Sequence, residues 1–528
     1  MKKIKDFIGT HKIIISCVAI LAVLVASVLV FGWIGLWYDI IIAAIVGISL
    51  TGMKKHGLLK ILSIIMLLLI LVSNLLPGRQ DVIDRIGIAD LLINYFSIVL
   101  QNFSYIVLFI LAVGGFYGIL NKTASYKKLL DNIVTKVKPY GKKIIFLISI
   151  IFAVIASLTG MTIPLFIFIP FVISIILLLG YDKLVAITST FGSIMIGYMG
   201  GVFVNFINPN TYSITTYEEF VGLESKFANV FPKLLLLFAS IALLIYFVGK
   251  HIKNVEEKKV KYELSDNGEL LIAEVKGDYK NIKTWPLIVV LSLIFIILVI
   301  GIIPWNGLFG ISVFSDFHTW LTGLTVNKIK IFPAILSDNL PALGEWFGSG
   351  NFMAGYVYSS MLLTFATVLI ALINRIKVND ALDYYTEGAK KLLPSVAIVT
   401  VAYTVLVCAY NNGFLELLIS NYGKFNYGIS SLLAILGCIL NVDTTWIIAG
   451  VFAPILNLIT DESVYASVAL LFQGIYGIFM LVGPTSLFLI LGLTYLDVPY
   501  TTWLKYIWRF ILALIILLAL VVLLVTLM

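Results

Sequence analysis

Apolar runs separated by short polar stretches repeat along almost the whole chain. Most reach the roughly 20 residues that carry an α-helix across a bilayer. They predict spanning helices near residues 12–32, 36–52, 58–76, 101–120, 184–207, 229–249, 285–304, 352–373, 394–412, 463–486 and 505–527. Two regions break the pattern. Residues 144–180 and 428–459 each hold a pair of shorter runs around a small polar cluster. In the second, "NVDTT" (441–445) separates "GISSLLAILGCIL" from "WIIAGVFAPILNLI", flanks of 13 and 14 residues. Neither flank spans comfortably alone. One helix through both would hold Asp443 at mid-bilayer, at a cost of about 3 kcal/mol. Both regions therefore read as re-entrant hairpins. The expected fold is an all-α polytopic membrane protein with about 11 spanning helices plus two re-entrant hairpins. Residues 86–99 predict an amphipathic outer helix, and 305–350, with Trp305, Trp320 and Trp346, an outer insertion at the membrane interface.

Composition agrees. The 528 residues are 61% hydrophobic and 12% charged, against about 25% charged in soluble domains. Three scattered cysteines (Cys17, Cys408, Cys438) and four dispersed histidines supply neither a disulfide framework nor a metal site. The net charge of +8 reads as a topology signal rather than a nucleic-acid interface. With the N-terminus in the cytoplasm and hairpins returning to their own side, 29 of the 36 Lys and Arg fall inside and 7 outside. This orientation predicts a multi-pass protein of the plasma membrane, cytoplasmic over 121–143 and 250–284, with its C-terminus outside. Membrane lipids and a small-molecule substrate are the expected partners.

The polar segment 250–284 divides the chain into halves, 58–249 and 285–528, preceded by a two-helix extension, 1–57. The halves share an order. "SLTGMTIPLFIFIP" (157–170) is matched by "NVDTTWIIAGVFAP" (441–454), "GYDK" (180–183) by "TDES" (460–463), and the Gly-rich "FGSIMIGYMGGVFVNF" by "FQGIYGIFMLVG". The Gly-rich helices end in "INPNTYS" (207–213) and "GPTS" (483–486). By the charge pattern the hairpins enter from opposite faces, which makes this an inverted repeat. Transporters of that design bind substrate near the midplane, where hairpin tips and broken helices meet.

The residues so placed are Thr159, Thr162, Asn205, Asn208 and Asn210 in the first half, and Asp443, Thr444, Thr445, Gln473, Thr485 and Ser486 in the second. Hard oxygen donors at Thr162, Asn208, Thr445 and Thr485 are candidate sodium ligands. Asp443 is the one obvious candidate for a coupling proton. Blander roles stand beside these. A tip is also an ordinary loop, Asp443 an ordinary N-cap, and Gln473 a simple partner for a neighbouring helix. Gly192, Gly197, Gly200 and Gly201 serve close packing at least as naturally as binding, and Asn411 and Asn412 read as a helix end. The sequence lacks the G-x-x-x-x-G-K-[ST] loop of an ATP motor. The function expected is therefore secondary active transport of a small carboxylate, amino acid or short peptide, coupled to Na+ or H+ or run as exchange, with no other cofactor. A membrane-embedded enzyme such as a lipid-linked transferase would need clustered acid, base or metal-ligand residues, and a channel would dispense with alternating access.

Several stretches resemble one family. "GPTSLFLILGLTYLDVPYTTWLKYI" (483–507), "GGFYGILNKTASY" (114–126), "LLLGYDKLVAIT" (177–188), "INP" (207–209) and "YTEGAKKLLPS" (385–395) are similar to elements of the C4-dicarboxylate anaerobic carrier family, in its YfcC-type branch, within the ion transporter superfamily. The resemblance covers about residues 58–528, in patches. It implies a carrier of dicarboxylates, basic amino acids or exchanged amino acids. The superfamily implies a homodimer whose transport domain moves like an elevator against a scaffold. The tips depart from the family: "GMTIPLF" stands where a Glu pair often follows Gly-Met, and "NVDTT" where Ser and Gly are usual.

Overall fold

The computed structural model describes residues 57–75, 86, 90–160, 163–207, 214–257, 281–303, 305–326, 329–331, 354–440 and 444–527. The helices expected over 12–32 and 36–52, the middle of the 250–284 linker and much of the 305–350 insertion lie outside the described residues.

The first half contains α1 (Gly57–Leu75), α2 (Phe96–Leu120), α3 (Ala124–Val137), α4 (Lys142–Thr159), α5 (Ile169–Leu178) and α6 (Lys183–Met199). Strands β1 (Asn205–Ile207) and β2 (Ile214–Thr216), then α7 (Tyr217–Val221) and α8 (Val230–Glu256), complete it. The second half contains α9 (Trp285–Ile302), α10 (Ala354–Ile373), α11 (Val378–Lys391), α12 (Leu393–Asn411), α13 (Phe414–Tyr422) and α14 (Tyr427–Leu440). It ends with α15 (Thr444–Leu456), α16 (Tyr465–Phe479), α17 (Leu487–Tyr495) and α18 (Tyr500–Leu527). Hairpin, buried helix, irregular break and long terminal helix thus follow one another twice.

Among the described residues, seven helices are long and apolar enough to cross a membrane. Six fall on expected spans. The seventh, α4, was expected as a short hairpin arm, yet its 18 residues make it about 27 Å long. That is nearly the full hydrocarbon thickness of about 30 Å. The 58–76, 184–207 and 285–304 segments form shorter apolar helices. Of the 86–99 segment, the described residues 90–99 are not a separate outer helix: a π-helical turn, Asp90–Tyr95, runs directly into α2.

Two helices form the centre. Every residue of α6 is buried, as is every residue from Ser467 to Ile478 of α16. Helices apolar all round belong in a core. They cross where Gly477 meets the Met199 backbone; a Cβ on Gly477 would lie 2.8 Å from Met199 Cα. Helix α4 packs on α6, and α8 packs on α4, α6 and α18. A second group is built on α2, which packs against α10, α11 and α12. There Gly388 of α11 faces Gly114 and Gly118 of α2, so closely that a Cβ on Gly388 would fall 2.2 Å from Gly114 O. Small residues four apart allow this backbone-to-backbone crossing.

Candidate functional site

The chain leaves α6 at Gly200-Gly201, where the helix can no longer continue its own hydrogen-bond ladder. The expected span to residue 207 therefore stops at Met199. The following "VFVNFI" is rich in β-branched and aromatic residues, which favour extended backbone. It forms the hairpin β1–β2, with Asn205 opposite Thr216 and Ile207 opposite Ile214. Thr216 then starts α7 through a capping box: Glu219 N donates to Thr216 Oγ1 at 3.3 Å, and Thr216 N donates to Glu219 Oε2 at 3.0 Å. The first break is thus a β-hairpin, whose turn, 208–213, lies outside the described residues.

A helix end leaves carbonyls without intrahelical donors. Gln473 of α16 meets them across the halves. Its Nε2 donates to Tyr198 O at 2.9 Å and Gly201 O at 2.8 Å, with Met199 O at 3.5 Å. Three carbonyls around one atom fix the amide orientation, since only the nitrogen end donates. Gln473 is 0% exposed, and among the described residues its Oε1 accepts no hydrogen bond.

The first hairpin reaches the same break. Val202 N donates to Ser157 Oγ at 3.4 Å, Phe203 N donates to Ser157 O at 3.2 Å, and Ser157 Oγ donates to Gly200 O at 3.3 Å. The second hairpin adds Thr444, whose Oγ1 donates to Tyr476 Oη at 2.9 Å. The Tyr476 ring lies 5.1 Å from that of Tyr198, and Tyr198 Oη is 3.3 Å from Tyr217 Oη. Ser157, Gln473, the Tyr198–Tyr476 pair and Thr444 therefore form one linked constellation.

The remaining predicted residues divide. Thr159 Oγ1 donates to Ile155 O of its own helix at 2.6 Å. Thr445 is half-buried on the first turn of α15. Thr485 Oγ1 donates to Ile439 O at 3.0 Å, which ties the second break to the end of α14. Ser486 accepts from Leu489 N at 3.4 Å as the N-cap of α17 and donates to Met480 O at 2.8 Å. Trp503 Nε1 donates to Leu481 O at 2.8 Å, and Tyr500 Oη donates to Val482 O, so this break is held by α18. Asn205 stands on β1. Thr162, Asn208, Asn210 and Asp443 lie outside the described residues. The glycines pack: a Cβ on Gly197 would lie 2.2 Å from Ala153 O, and one on Gly200 2.6 Å from the Leu237 backbone. Among the described residues, no group of His, Cys, Asp and Glu is arranged to hold a metal ion.

The sequence reading missed Ser157 and the tyrosines. Ser157 opened the quoted "SLTGMTIPLFIFIP", and each Gly-rich helix carries one of the paired tyrosines, so a signal existed. It also missed the pair Lys233–Glu218. Lys233 Nζ lies 2.7 and 2.8 Å from the Glu218 oxygens, both side chains buried, and so pins α7 to α8. Asn229 Nδ2 adds a bond to Ala466 O at 2.8 Å, from the start of α8 to α16.

Comparison with known proteins gives a family. The model of the family described as DcuC, C4-dicarboxylate anaerobic carrier, matches residues 34–527. A Haemophilus influenzae protein described as "Uncharacterized protein" is 21% identical over 290 residues, which are 54% of this chain and 47% of that one. The match thus spans about half the length of that curated relative. Among solved structures, the YdaH transporter of Alcanivorax borkumensis, described as having an unusual topology, aligns with a TM-score of 0.37 and 13% identity, over 88% of this chain and 97% of its own. MtrF of Neisseria gonorrhoeae, described as illuminating a class of antimetabolite efflux pumps, aligns with a TM-score of 0.37 and 14% identity, over 90% and 96%.

Proposed function

The chain belongs to the C4-dicarboxylate anaerobic carrier family, and on that premise we propose that it is a secondary active carrier of small carboxylates at the Gln473 constellation. A transporter of this family is not an enzyme. C4-dicarboxylates are the first substrates to test, and amino acids or short peptides the second. One observation carries the reading: Gln473 of the second half holds the broken end of α6 of the first, between the two hairpins. Irregular backbone inside a helical membrane protein is tolerated where it is buried or lines a cavity. In helix breaks of this kind carbonyls and hydroxyls suit a small hard cation, and N–H groups suit a carboxylate. Sodium fits the oxygen-rich donor set of Thr162, Asn208, Thr445 and Thr485; a proton would need Asp443. The orientation, with cytoplasmic N-terminus and outer C-terminus, rests on the distribution of Lys and Arg. A homodimer with elevator-like motion is the working arrangement.

The test is uptake into proteoliposomes, preceded by a thermal-shift screen of carboxylates and amino acids with and without sodium. A carrier gives saturable uptake and counter-exchange; flux without either makes the protein a channel. Asp443→Asn then separates the coupling modes. Loss of sodium-dependent stabilisation and uptake assigns the residue to sodium. Loss of gradient-driven uptake with exchange retained assigns it to the proton. Weaker binding of amino acids but not of plain carboxylates assigns it to a substrate amino group. Kinetics equal to the parent across pH and sodium make it only a helix cap.

A further inference from the structure

A cavity rimmed by charged side chains lies where the C-terminal end of α2, the start of α6, the C-terminal half of α11 and the end of α17 converge. Its volume is about 70 Å³, several times the ~10–15 Å³ that one water needs. That leaves room for one small polyatomic ion. Lys122, Lys183 and Lys391 line it, with Asn121, Glu387 and Asp497. Three ammonium groups against two carboxylates give the lining a net charge of +1.

Each lysine has a carboxylate near it, Asp497 for Lys183 and Glu387 for the other two. Glu387 is shared between two lysines, with Oε2 3.6 Å from Lys122 Nζ and Oε1 3.7 Å from Lys391 Nζ. Both distances exceed the ~3.2 Å limit of a good N–H···O bond. The Glu387 side chain is half exposed, so it can swing aside at little cost. Lys183, by contrast, is 2% exposed and fixed in the first turn of α6. The lysines approach from three separate elements. Ammonium point charges converging from several directions suit a tetrahedral oxyanion better than a planar carboxylate, for which a guanidinium fork is the better match. The cavity opens at the helix ends that the charge pattern puts in the cytoplasm. Basic pockets between helices on that side of a membrane take anionic headgroups.

We propose that this cavity is a phosphate site, separate from the transport site, that takes the phosphodiester headgroup of an anionic phospholipid. Glu387 occupies the lysines when the site is empty and is displaced by the phosphate. The shared chemistry, a phosphate oxyanion, also admits free inorganic phosphate as the source.

The experiment titrates the purified, delipidated full chain with dioleoylphosphatidylglycerol, with dioleoylphosphatidylcholine as zwitterionic control, and separately with inorganic phosphate against chloride at equal ionic strength. The readout is the concentration that gives half the maximal rise in Tm. Phosphatidylglycerol should stabilise the parent where phosphatidylcholine does not. Each lysine near an anionic headgroup is worth about fivefold in affinity, so Lys122→Gln with Lys391→Gln should weaken the effect by about 25-fold. Glu387→Gln should strengthen it by about fivefold, because the competing carboxylate is gone; a purely structural ion pair predicts no such gain. Stabilisation by inorganic phosphate alone, lost in the lysine variant, keeps the phosphate site and makes a free anion its ligand. The proposal is overturned if neither probe stabilises the parent, if the lysine variant responds like the parent, or if Glu387→Gln weakens the response.

Discussion

At the scale of single residues, Gln473 is the most constrained side chain of the site. Its amide donates to the buried carbonyls of Tyr198 and Gly201 across the break. Leaving a buried polar group unsatisfied costs about 1–3 kcal/mol. Gln473→Leu should therefore lower the Tm of the purified protein and abolish uptake. Gln473→Glu is the sharper test. A carboxylate among three carbonyls is repelled and offers no donor. The protonated acid keeps a donor, so the deficit of Gln473→Glu should shrink as pH falls, while that of Gln473→Leu stays flat. Thermal unfolding across pH decides between them. The buried pair Lys233–Glu218 gives a second residue-scale prediction. Removing one partner, as in Glu218→Gln or Lys233→Met, should cost about 3–5 kcal/mol by stranding the other. The apolar double variant Glu218→Leu with Lys233→Met should cost less than the sum, read by a double-mutant cycle in denaturant.

At the scale of elements, glycines set how closely helices approach. The contact between α2 and α11 admits no Cβ at Gly388, which would fall 2.2 Å from Gly114 O and 2.6 Å from Gly118 Cα, both backbone atoms. Gly388→Ala must push the helices apart, and overpacking of this kind costs about 1–3 kcal/mol. Gly192 is the control. A Cβ there meets Thr188 Cγ2 at 3.5 Å, an ordinary contact. Gly192→Ala should be neutral or mildly stabilising, since alanine loses less backbone entropy than glycine. Parallel melting curves check the contrast. The motifs "GGFYGILNKT" and "YTEGAKK" were readable in the chain, but only as a resemblance. The structure supplies their physical reason: Gly114, Gly118 and Gly388 are the crossing point itself, and Lys122, Glu387 and Lys391 line the cavity beside it.

At the scale of the whole molecule, orientation is the property to test. A single cysteine in place of Ser265 should be closed to a membrane-impermeant maleimide in intact cells and open in inside-out vesicles. The reverse pattern would overturn the proposed orientation and move the phosphate cavity to the outer face. Cys408 and Cys438 are buried, so Cys17 is the background thiol to remove. Two groups of helices, one around α6 and α16 and one around α2, are the parts whose relative motion an elevator-like cycle would require.

The sequence by itself determined the class. Apolar runs of bilayer length cannot be hidden in a soluble fold of this size, and polar clusters such as "NVDTT" cannot sit mid-span unless the chain turns there. It also determined the twofold order of hairpin, glycine-rich helix and break, because such order is visible along one dimension. Only the tertiary structure decided what each break is. The local signals, Gly200-Gly201 and the β-branched "VFVNF", are compatible both with a buried helix that continues and with one that stops at Met199; the end is stabilised by Gln473, more than 270 residues away. The length of α4 was misjudged for a similar reason, since its first turn begins among the lysines 142 and 143, which a hydropathy reading assigns to a loop. Ser157, Tyr198 and Tyr476 escaped notice because a serine or tyrosine in an apolar run becomes informative only when its partner is known. Contacts between distant segments depend on packing, and packing is not written in the order of residues.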